Sequence, residues 1–518
     1  VFFVATAAVA GALVMALQVV GARVIGAFYG VSLFVWTSLI GVTLLALALG
    51  YVLGGRHADR MRTPDMIYLW LGLAGLLTLA VPWLKGWVLP ATAPLGPRWG
   101  TFASALVLFG PPFALLGAIS PAIVRQLVSE PLRLGATVGA LFGWSTLGSL
   151  AGTLLAGYVL LVHFGLAQIL AACGALALAF SAAYFAWFRR APWSLVALAL
   201  PFVALALPGA QDAEALLEDG TRARVTEARS GFYGDVRVIE YRHGARATRE
   251  MLIDGLVQGG IDIASGESVY ETVHLLQELP LAHRPATGRC LVVGLGPGLV
   301  ARWFAARGIA TEAVEIDPVV IAAARRHFGF PETVPVALED ARRFLSSATG
   351  RYDCIVMDVF SGDTTPSHLL SREALLAARA RLAPEGVLAL NLIAGGDLAS
   401  AQPVLATLER VFGHVRVYPL RGEPGPQAIA NVLAVASPRP LAPLAAPQAW
   451  TAHVHPMARP GVERALGEAF AYGAAGAGPI LTDDFNPIDV ADAALKERLR
   501  RHILRTTAPQ LLLASPRR

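Results

Sequence analysis

"LVVGLGPGLVARWFAARGIATEAVEID", Leu291 to Asp317, decides how this chain is to be read. An apolar run breaks into glycines, resumes as an amphipathic segment, and gives way to a second apolar run with an acidic end. That order describes a strand, a turn, a helix and a second strand. Gly294, Gly296 and Gly298 make the turn, where missing side chains let the backbone approach a ligand. Glu315 ends the second strand about as far downstream as an acid that binds a ribose should be. A dinucleotide site would need the third glycine of GxGxxG and a helix N-terminus aimed at pyrophosphate. Here the loop is GLGPGL, with Pro297 inside it and no Lys or Arg to handle a phosphate. A cationic nucleoside suits an acid-lined crevice better.

Working outward, two more acids stand at strand ends, Asp340 in "ALEDA" and Asp358 in "VMDVF". Strand and helix patterns alternate from "RCLVVGLG" to "LASAQPVLATLERVFG", and the strands are apolar throughout. Such strands imply a parallel sheet buried on both faces, a doubly wound α/β domain whose ligand crevice lies beyond the carboxyl ends of the strands. Ahead of it, "GDVRVIEY" and "REMLIDG" alternate as strands of a small antiparallel sheet, and "SGESVYETVHLLQEL" has the period of a helix. Each acid also has a local reading. Glu315 or Asp317 could cap the helix that starts at Pro318, and Asp340 could cap "ARRFL".

The rest of the chain is different in kind. Of 518 residues, 55% are hydrophobic and 15% charged, too apolar for an ordinary soluble protein. The excess lies before about residue 210, where seven stretches approach the ~20 residues needed to cross a bilayer. They run at roughly 1–22, 31–54, 67–90, 101–124, 136–162, 166–188 and 192–208, the last being the shortest, with Pro201 and Pro208. Arginines cluster after the second, fourth and sixth stretches, which places those loops and the N-terminus on the cytoplasmic side of a cell membrane. If 192–208 crosses, the α/β domain is outside the cell; if it lies in the interface, that domain is inside. Gly50 with Gly54 and Gly148 with Gly152 have the spacing of close helix packing. No ionisable residue lies well inside a span, so a transport pathway has no support. The net charge of +5 sits largely in these loops and does not indicate nucleic-acid binding. Cys173, Cys290 and Cys354 show no CxxC spacing, so neither a metal site nor a disulfide framework is expected, and they read as small buried apolar residues. The organisation expected is therefore a membrane part (1–209), a small β-rich part (225–280), the α/β domain (281–500) and a disordered tail (507–518).

The run "MLIDGLVQGGID…ESVYETV…LVVGLGPG…VEID…LEDA…YDCIVMDVFSGDTTPSHLLS" resembles spermidine synthases, aminopropyltransferases that use decarboxylated S-adenosylmethionine. With "GGRHADR", "STLGSLAGTLLAGYVLL" and "LTDDFNPID", the chain is most similar to their membrane-integrated branch, described as fused transporter/spermidine synthases. The resemblance implies a Rossmann-like transferase domain behind multi-pass helices, with a polyamine or other small amine as partner, the lipid bilayer around the helices and no metal. Self-association as a homodimer stays open.

The resemblance also implies roles. Gln258 and Tyr270 would line the adenosyl and amine sites, Glu315 would accept from the ribose hydroxyls, and Asp340 would lie near the adenine amino group. Asp358 would match the first acid of the family's "DSSDP" and hold the attacking amine. Three departures stand out. Pro297 replaces the acid of the family's glycine loop, the second acid of "DSSDP" has no aligned counterpart, and the glutamate of "Y.E" is shifted to Glu271. Asp363, Glu271, Asp483 or Asp484 could compensate, although the last two also suit the start of the final helix. Two alternatives therefore stay open: a methyltransferase using S-adenosylmethionine itself, and a transporter or sensor whose nucleoside-binding domain does no chemistry.

Overall fold

A computed structural model describes residues 1–30, 32–127, 134–206, 214–360, 366–421, 429–441, 444, 451, 453–473, 478–488 and 492–514. The chain divides into two compact units, a helical one and an α/β one.

In the helical unit, α1 (Phe2–Tyr29), α2 (Leu33–Ala58), α3 (Asp65–Thr92) and α4 (Gly96–Leu127) are followed by α5 (Leu134–Leu155), α6 (Leu166–Phe188) and a short α7 (Leu200–Ala206). Among the described residues, five continuous helical stretches, one of them holding both α3 and α4, are long and apolar enough to cross a membrane by length and composition. The seventh stretch expected from sequence is a 3-10 turn, Pro192–Ala199, running into α7. Small residues decide how the helices approach. A Cβ on Gly148 or Gly152 would lie 2.0 or 2.3 Å from the carbonyl oxygen of Ala8 or Ala12, so α5 meets α1 backbone to backbone. Gly50 and Gly54 do the same for α2 on α4, at 2.3 Å from the Ala114 carbonyl oxygen and 2.5 Å from the Ala118 Cα. Asp65, at the start of α3, takes hydrogen bonds from Tyr184 and from two nitrogens of Arg189, all at 2.6 Å, and so ties that end to the end of α6. Residues 507–514, expected as disordered tail, instead cluster with this unit and carry a short helix, Pro509–Leu513, with Leu511, Leu512 and Leu513 buried.

The α/β unit opens with a five-stranded antiparallel sheet in the order β1 (Glu214–Leu216), β2 (Arg222–Ser230), β3 (Asp235–His243), β4 (Arg246–Ile253) and β5 (Leu256–Asp262). In chain order this sheet follows the helical segment and precedes the larger sheet, so it is not at the N-terminus of the chain. Asp254 and Gly255, with φ of 49° and 82°, form the two-residue turn between β4 and β5, the geometry that matches the twist of a hairpin.

After α8 (Glu271–His283) the larger sheet begins. Its elements are β6 (Arg289–Val293), α9 (Leu299–Ala306), β7 (Ala310–Glu315), α10 (Pro318–Phe328), β8 (Val336–Leu338), α11 (Ala341–Ser347) and β9 (Tyr352–Met357). They continue with α12 (Arg372–Ala380), β10 (Leu382–Gly395), α13 (Gln402–Phe412), β11 (His414–Arg421), β12 (Ile429–Ser437), α14 (Arg459–Gly467), β13 (Phe470–Ala471) and α15 (Ala493–Thr506). The spatial order is β13-β11-β12-β10-β9-β6-β7-β8. Strands β8, β7, β6, β9 and β10 are parallel, whereas β12 runs antiparallel to β10 and to β11. The sheet is thus mixed, a correction to the all-parallel expectation: β11 and β12 are consecutive and pair directly, which turns the chain back. Apolar clusters on its two faces, one around Val292, Phe304 and Val356 and the other around Leu291, Ile355 and Leu405, bury the central strands completely.

Two local expectations also change. The helix expected within 265–279 starts at Glu271, because Val269 donates to the Gly260 carbonyl and Ser268 bridges to Ile261, which keeps those residues on the edge of β5. Cys290 and Cys354 are not separate apolar residues. They face each other on β6 and β9 with Cα atoms 4.8 Å apart and form a disulfide, while Cys173 is free and buried. Their separation of 64 residues hides the fact that β9 lies directly beside β6.

Candidate active site

Between β6 and β9 the strand order reverses, and open α/β sheets bind ligands at such a switch point. The glycine turn leaves β6 there and Asp358 leaves β9. All three glycines have positive φ, 84° at Gly294, 51° at Gly296 and 75° at Gly298. Their surroundings differ. A Cβ on Gly294 would lie 2.2 Å from the Asp358 carbonyl oxygen, and one on Gly298 would lie 2.8 Å from the Phe330 ring. Gly296 meets nothing nearer than the Gln258 carbonyl oxygen, at 3.6 Å. Two glycines therefore let the protein pack on itself, while at Gly296 a Cβ would only touch Gln258 of β5 at ordinary contact distance.

Glu315 does not cap a helix. Its Oε2 accepts from the Leu295 N–H at 3.0 Å, and its Oε1 accepts from the N–H groups of Ile316 and Asp317 at 2.8 and 2.9 Å. It thereby fixes the glycine turn to the end of β7. Burial raises its carboxyl above the usual range, against the three backbone hydrogen bonds that lower it. The helix cap is Asp317, which accepts from the Val319 N–H at 2.8 Å. Asp340 caps α11 by accepting from the Arg343 N–H at 3.0 Å, and its other oxygen lies 3.3 Å from His368 Nε2.

Asp358 follows the last residue of β9. Its Oδ1 accepts from the Asn391 amide at 2.8 Å, and burial pushes its carboxyl up from 3.8 to about 6, partly offset by that hydrogen bond. Asn391 is 3% exposed and its own Oδ1 has no partner. Gln258 is the third residue of β5, and its amide donates to the Leu256 carbonyl at 3.3 Å. Tyr270 is the N-cap of α8 and donates its hydroxyl proton to Glu250 Oε1 at 2.5 Å.

The candidate compensating acids fare differently. Glu271 packs against α14, where a Cβ on Gly461 would lie 3.2 Å from its carboxyl carbon. Asp483 is committed to Arg342, which holds its carboxyl down at about 2, and its N–H donates to Glu373 at 3.0 Å. It does not begin the final helix, since α15 starts at Ala493. Asp484 is exposed. Asp363 lies outside the described residues. Among the described residues, no group of three or more His, Cys, Asp or Glu is placed to hold a metal ion.

Two residues of this site are not singled out by sequence reasoning. Asn391 is the one polar side chain in the apolar run "VLALNLIA", and that isolation is a signal the sequence carries. Glu250, in "TREMLI", gives no such signal until β4 and β5 are paired.

The geometry defines a Rossmann-like mixed sheet with acids at successive strand ends. No family model matches the chain. It is 33% identical over 157 residues to an N-terminal histidine N-methyltransferase of Emericella nidulans, covering 29% of this chain and 28% of that protein. It is 33% identical over 160 residues to a polyamine aminopropyltransferase of Vibrio vulnificus, covering 30% and 53%. It is 34% identical over 177 residues to the human eEF1A lysine and N-terminal methyltransferase, covering 31% and 24%. The chain thus spans between about a quarter and about half the length of these relatives. Among solved structures, a probable spermidine synthase from Corynebacterium glutamicum aligns with a TM-score of 0.41 and 21% identity, covering 50% of this chain and 95% of that one. The C-terminal part is therefore homologous to polyamine aminopropyltransferases and equally to methyltransferases. None of these relatives bears a transporter's name, so the fused-transporter branch expected from the sequence gains no support.

Proposed function

We propose that this chain is a transferase that alkylates a primary amine from an adenosyl sulfonium donor. The observation that carries the reading is Asp358, a half-buried carboxylate at the switch point whose affinity for a proton is raised toward neutrality. An amine is an ammonium near pH 7 and cannot attack until it loses a proton. Asp358 holds the ammonium, takes that proton and leaves the nitrogen lone pair free. The nitrogen forms a bond to the carbon beside sulfur, the C–S bond breaks, and its electron pair returns to sulfur to give a neutral thioether. The remainder of the rate comes from holding two molecules in line. Glu315 receives the ribose hydroxyls and Asp340 the adenine side. The printed names of the relatives fit this common chemistry, since methylation of an N-terminus or a lysine and aminopropylation of a polyamine all alkylate amines.

Two donors divide the finer readings. Aminopropyl transfer from decarboxylated S-adenosylmethionine fits Gln258 and Tyr270, the residues that the resemblance assigns to the adenosyl and amine sites. Methyl transfer fits the acid-free loop, because the donor's own carboxylate then balances its ammonium and no loop acid is needed. Incubating the full-length protein with each donor and an amine separates them: methylthioadenosine marks aminopropyl transfer and S-adenosylhomocysteine marks methyl transfer. Formation of neither thioether with any amine would end the enzyme reading in favour of a binding or sensing domain. We further propose that the helical unit sits in a bilayer, since Leu44, Leu49, Leu53, Trp87, Leu147 and Leu150 present exposed apolar surface. Resistance of the intact protein to alkaline extraction from membranes tests this, and release would refute it.

A further inference from the structure

Glu250 lies on β4 between Ile239 of β3 and Gly260 of β5. A Cβ on Gly260 would come within 2.8 Å of Glu250 Cγ and 3.2 Å of the Tyr270 ring, so the bare backbone there makes room for the Glu250–Tyr270 pair. Because Tyr270 donates its proton to Glu250, the lone pairs of its oxygen remain free to accept from another donor.

The pair stands at the same end of the sheet as Asp358. Tyr270 caps α8, and two residues on, the Thr272 hydroxyl accepts from the Asn431 amide at 3.0 Å. Asn431 pairs with Ile393, two residues beyond the Asn391 that holds Asp358. Next to Gly260, Gly259 presses on Pro297 of the glycine turn, at 3.0 Å for a hypothetical Cβ. Strand β5 therefore runs from the donor turn to the pair.

The charge around Glu250 is unbalanced. Tyr241 and Tyr270 lie beside it, and the nearest further charge acting on Tyr270 is another acid, Glu271. The neighbouring Arg249 is committed to Glu240 and to the His327 carbonyl. Among the described residues, no Arg, Lys or His forms an ion pair with Glu250. The carboxyl has a hydrogen bond from Tyr270 but no positive charge beside it, and burial raises its affinity for a proton. A cationic ligand supplies that charge.

We propose that Glu250 is a positioning residue of the acceptor subsite: it orients the Tyr270 hydroxyl and supplies the second negative charge that selects a cationic amine. This rests on the amine-alkylation reading, and it accounts for the missing second acid of the family's pair without Asp483, which is spent on Arg342.

The test uses the full-length protein in detergent, preloaded with methylthioadenosine or S-adenosylhomocysteine. Calorimetry then compares binding of putrescine and of a short peptide with a free amino terminus against the neutral 1,4-butanediol. Wild type should bind at least one amine. Glu250→Gln should weaken that binding about ten-fold or more, as expected when one partner of an enclosed charge pair is removed. Glu250→Asp should restore part of it. Diol binding should not change, and thioether binding should stay within about two-fold, as for a distant independent site. Should Glu250→Gln lose thioether binding, Tyr270→Phe, which removes one hydroxyl, is judged on the same criteria. Equal amine affinity in wild type and variant, or no amine binding by wild type, overturns the proposal. Turnover is measured on the same samples. Amine binding that depends on Glu250 without any transfer would sink the transferase reading and leave the subsite standing.

Discussion

Replacing Asp358 by Asn should stabilise the protein while silencing it. Burial raises the Asp358 carboxyl from 3.8 to about 6, so the folded state holds this proton more tightly than the unfolded chain does. Below about pH 3.8 both states carry the proton and the group contributes no difference. As pH rises toward about 6 the unfolded chain loses the proton first, so stability falls; above about 6 the full penalty is present. A shift of about two units at ~1.4 kcal/mol each is roughly 3 kcal/mol, an upper figure because the side chain keeps a partial opening to solvent. Asn keeps an Oδ1 for the Asn391 amide, 2.8 Å away, and has no charge to bury. Calorimetric melting of the full-length protein in detergent should therefore place the variant's transition higher at about pH 8. At ~2–4 °C per kcal/mol for a domain of this size, the rise is up to roughly 10 °C. Most of it should be gone at about pH 4. Turnover should fall below detection while thioether binding stays. A melting temperature that is unchanged or lower at pH 8, or shifted equally at both pH values, would refute the argument from charge burial. Retained turnover would remove Asp358 from the chemistry.

Two other substitutions probe the donor side. Glu315→Gln leaves one oxygen where three backbone N–H groups now find two, so thioether affinity should drop by about five-fold to 150-fold, from ~1–3 kcal/mol of lost pairing; unchanged affinity by calorimetry would mean the turn holds itself. Gly294→Ala puts a Cβ 2.2 Å from the Asp358 carbonyl oxygen at a φ of 84°, whereas Gly308→Ala, at a φ of 76°, meets nothing within 4 Å. The first should destabilise by several kcal/mol and impair turnover, the second by only ~1–2 kcal/mol of backbone strain; similar melting temperatures would show that the close approach of the two strand ends is unimportant.

The range of each interaction decides whether it can be read from sequence. The glycine turn and the acids after β7 and β9 are legible because a parallel strand buried on both faces is apolar to its end, so a charge there marks the edge. The direction of β12 is not, since "IANVLAVAS" is equally apolar whichever way it runs. Local rules catch Asp340 and Asp317 as caps but cannot see Glu315 reaching back 20 residues to Leu295. Long-range pairing also hides the disulfide between Cys290 and Cys354, the commitment of Asp483 to Arg342 across 141 residues, and Glu250, whose meaning depends on Gly260 opposite it. In the helical unit, Gly148 and Gly152 carry their packing role in their spacing, because a helix repeats its faces locally.

Asn391 offers the sharpest test of whether Asp358 acts as the proton acceptor. Its amide donates to Asp358 and lowers that carboxyl's affinity for a proton, against the larger effect of burial. Asn391→Leu keeps a side chain of similar size, removes the donor, and also removes an Oδ1 that has no partner, so it takes a buried polar group out of the core. The carboxyl then rises further. A hydrogen bond to a charged group is worth ~1.5–3 kcal/mol, or about one to two pH units. The acid limb of the kcat/KM profile should move upward by that amount, with turnover reduced near neutrality and recovered toward alkaline pH. The same change lowers melting temperature at pH 7 and above, because a carboxyl raised further in the folded state widens its gap from the unfolded chain, while loss of the unpartnered Asn391 Oδ1 offsets part of that cost. An unmoved acid limb would mean that the proton leaves the amine by another route, and that Asp358 serves only to hold the ammonium in place.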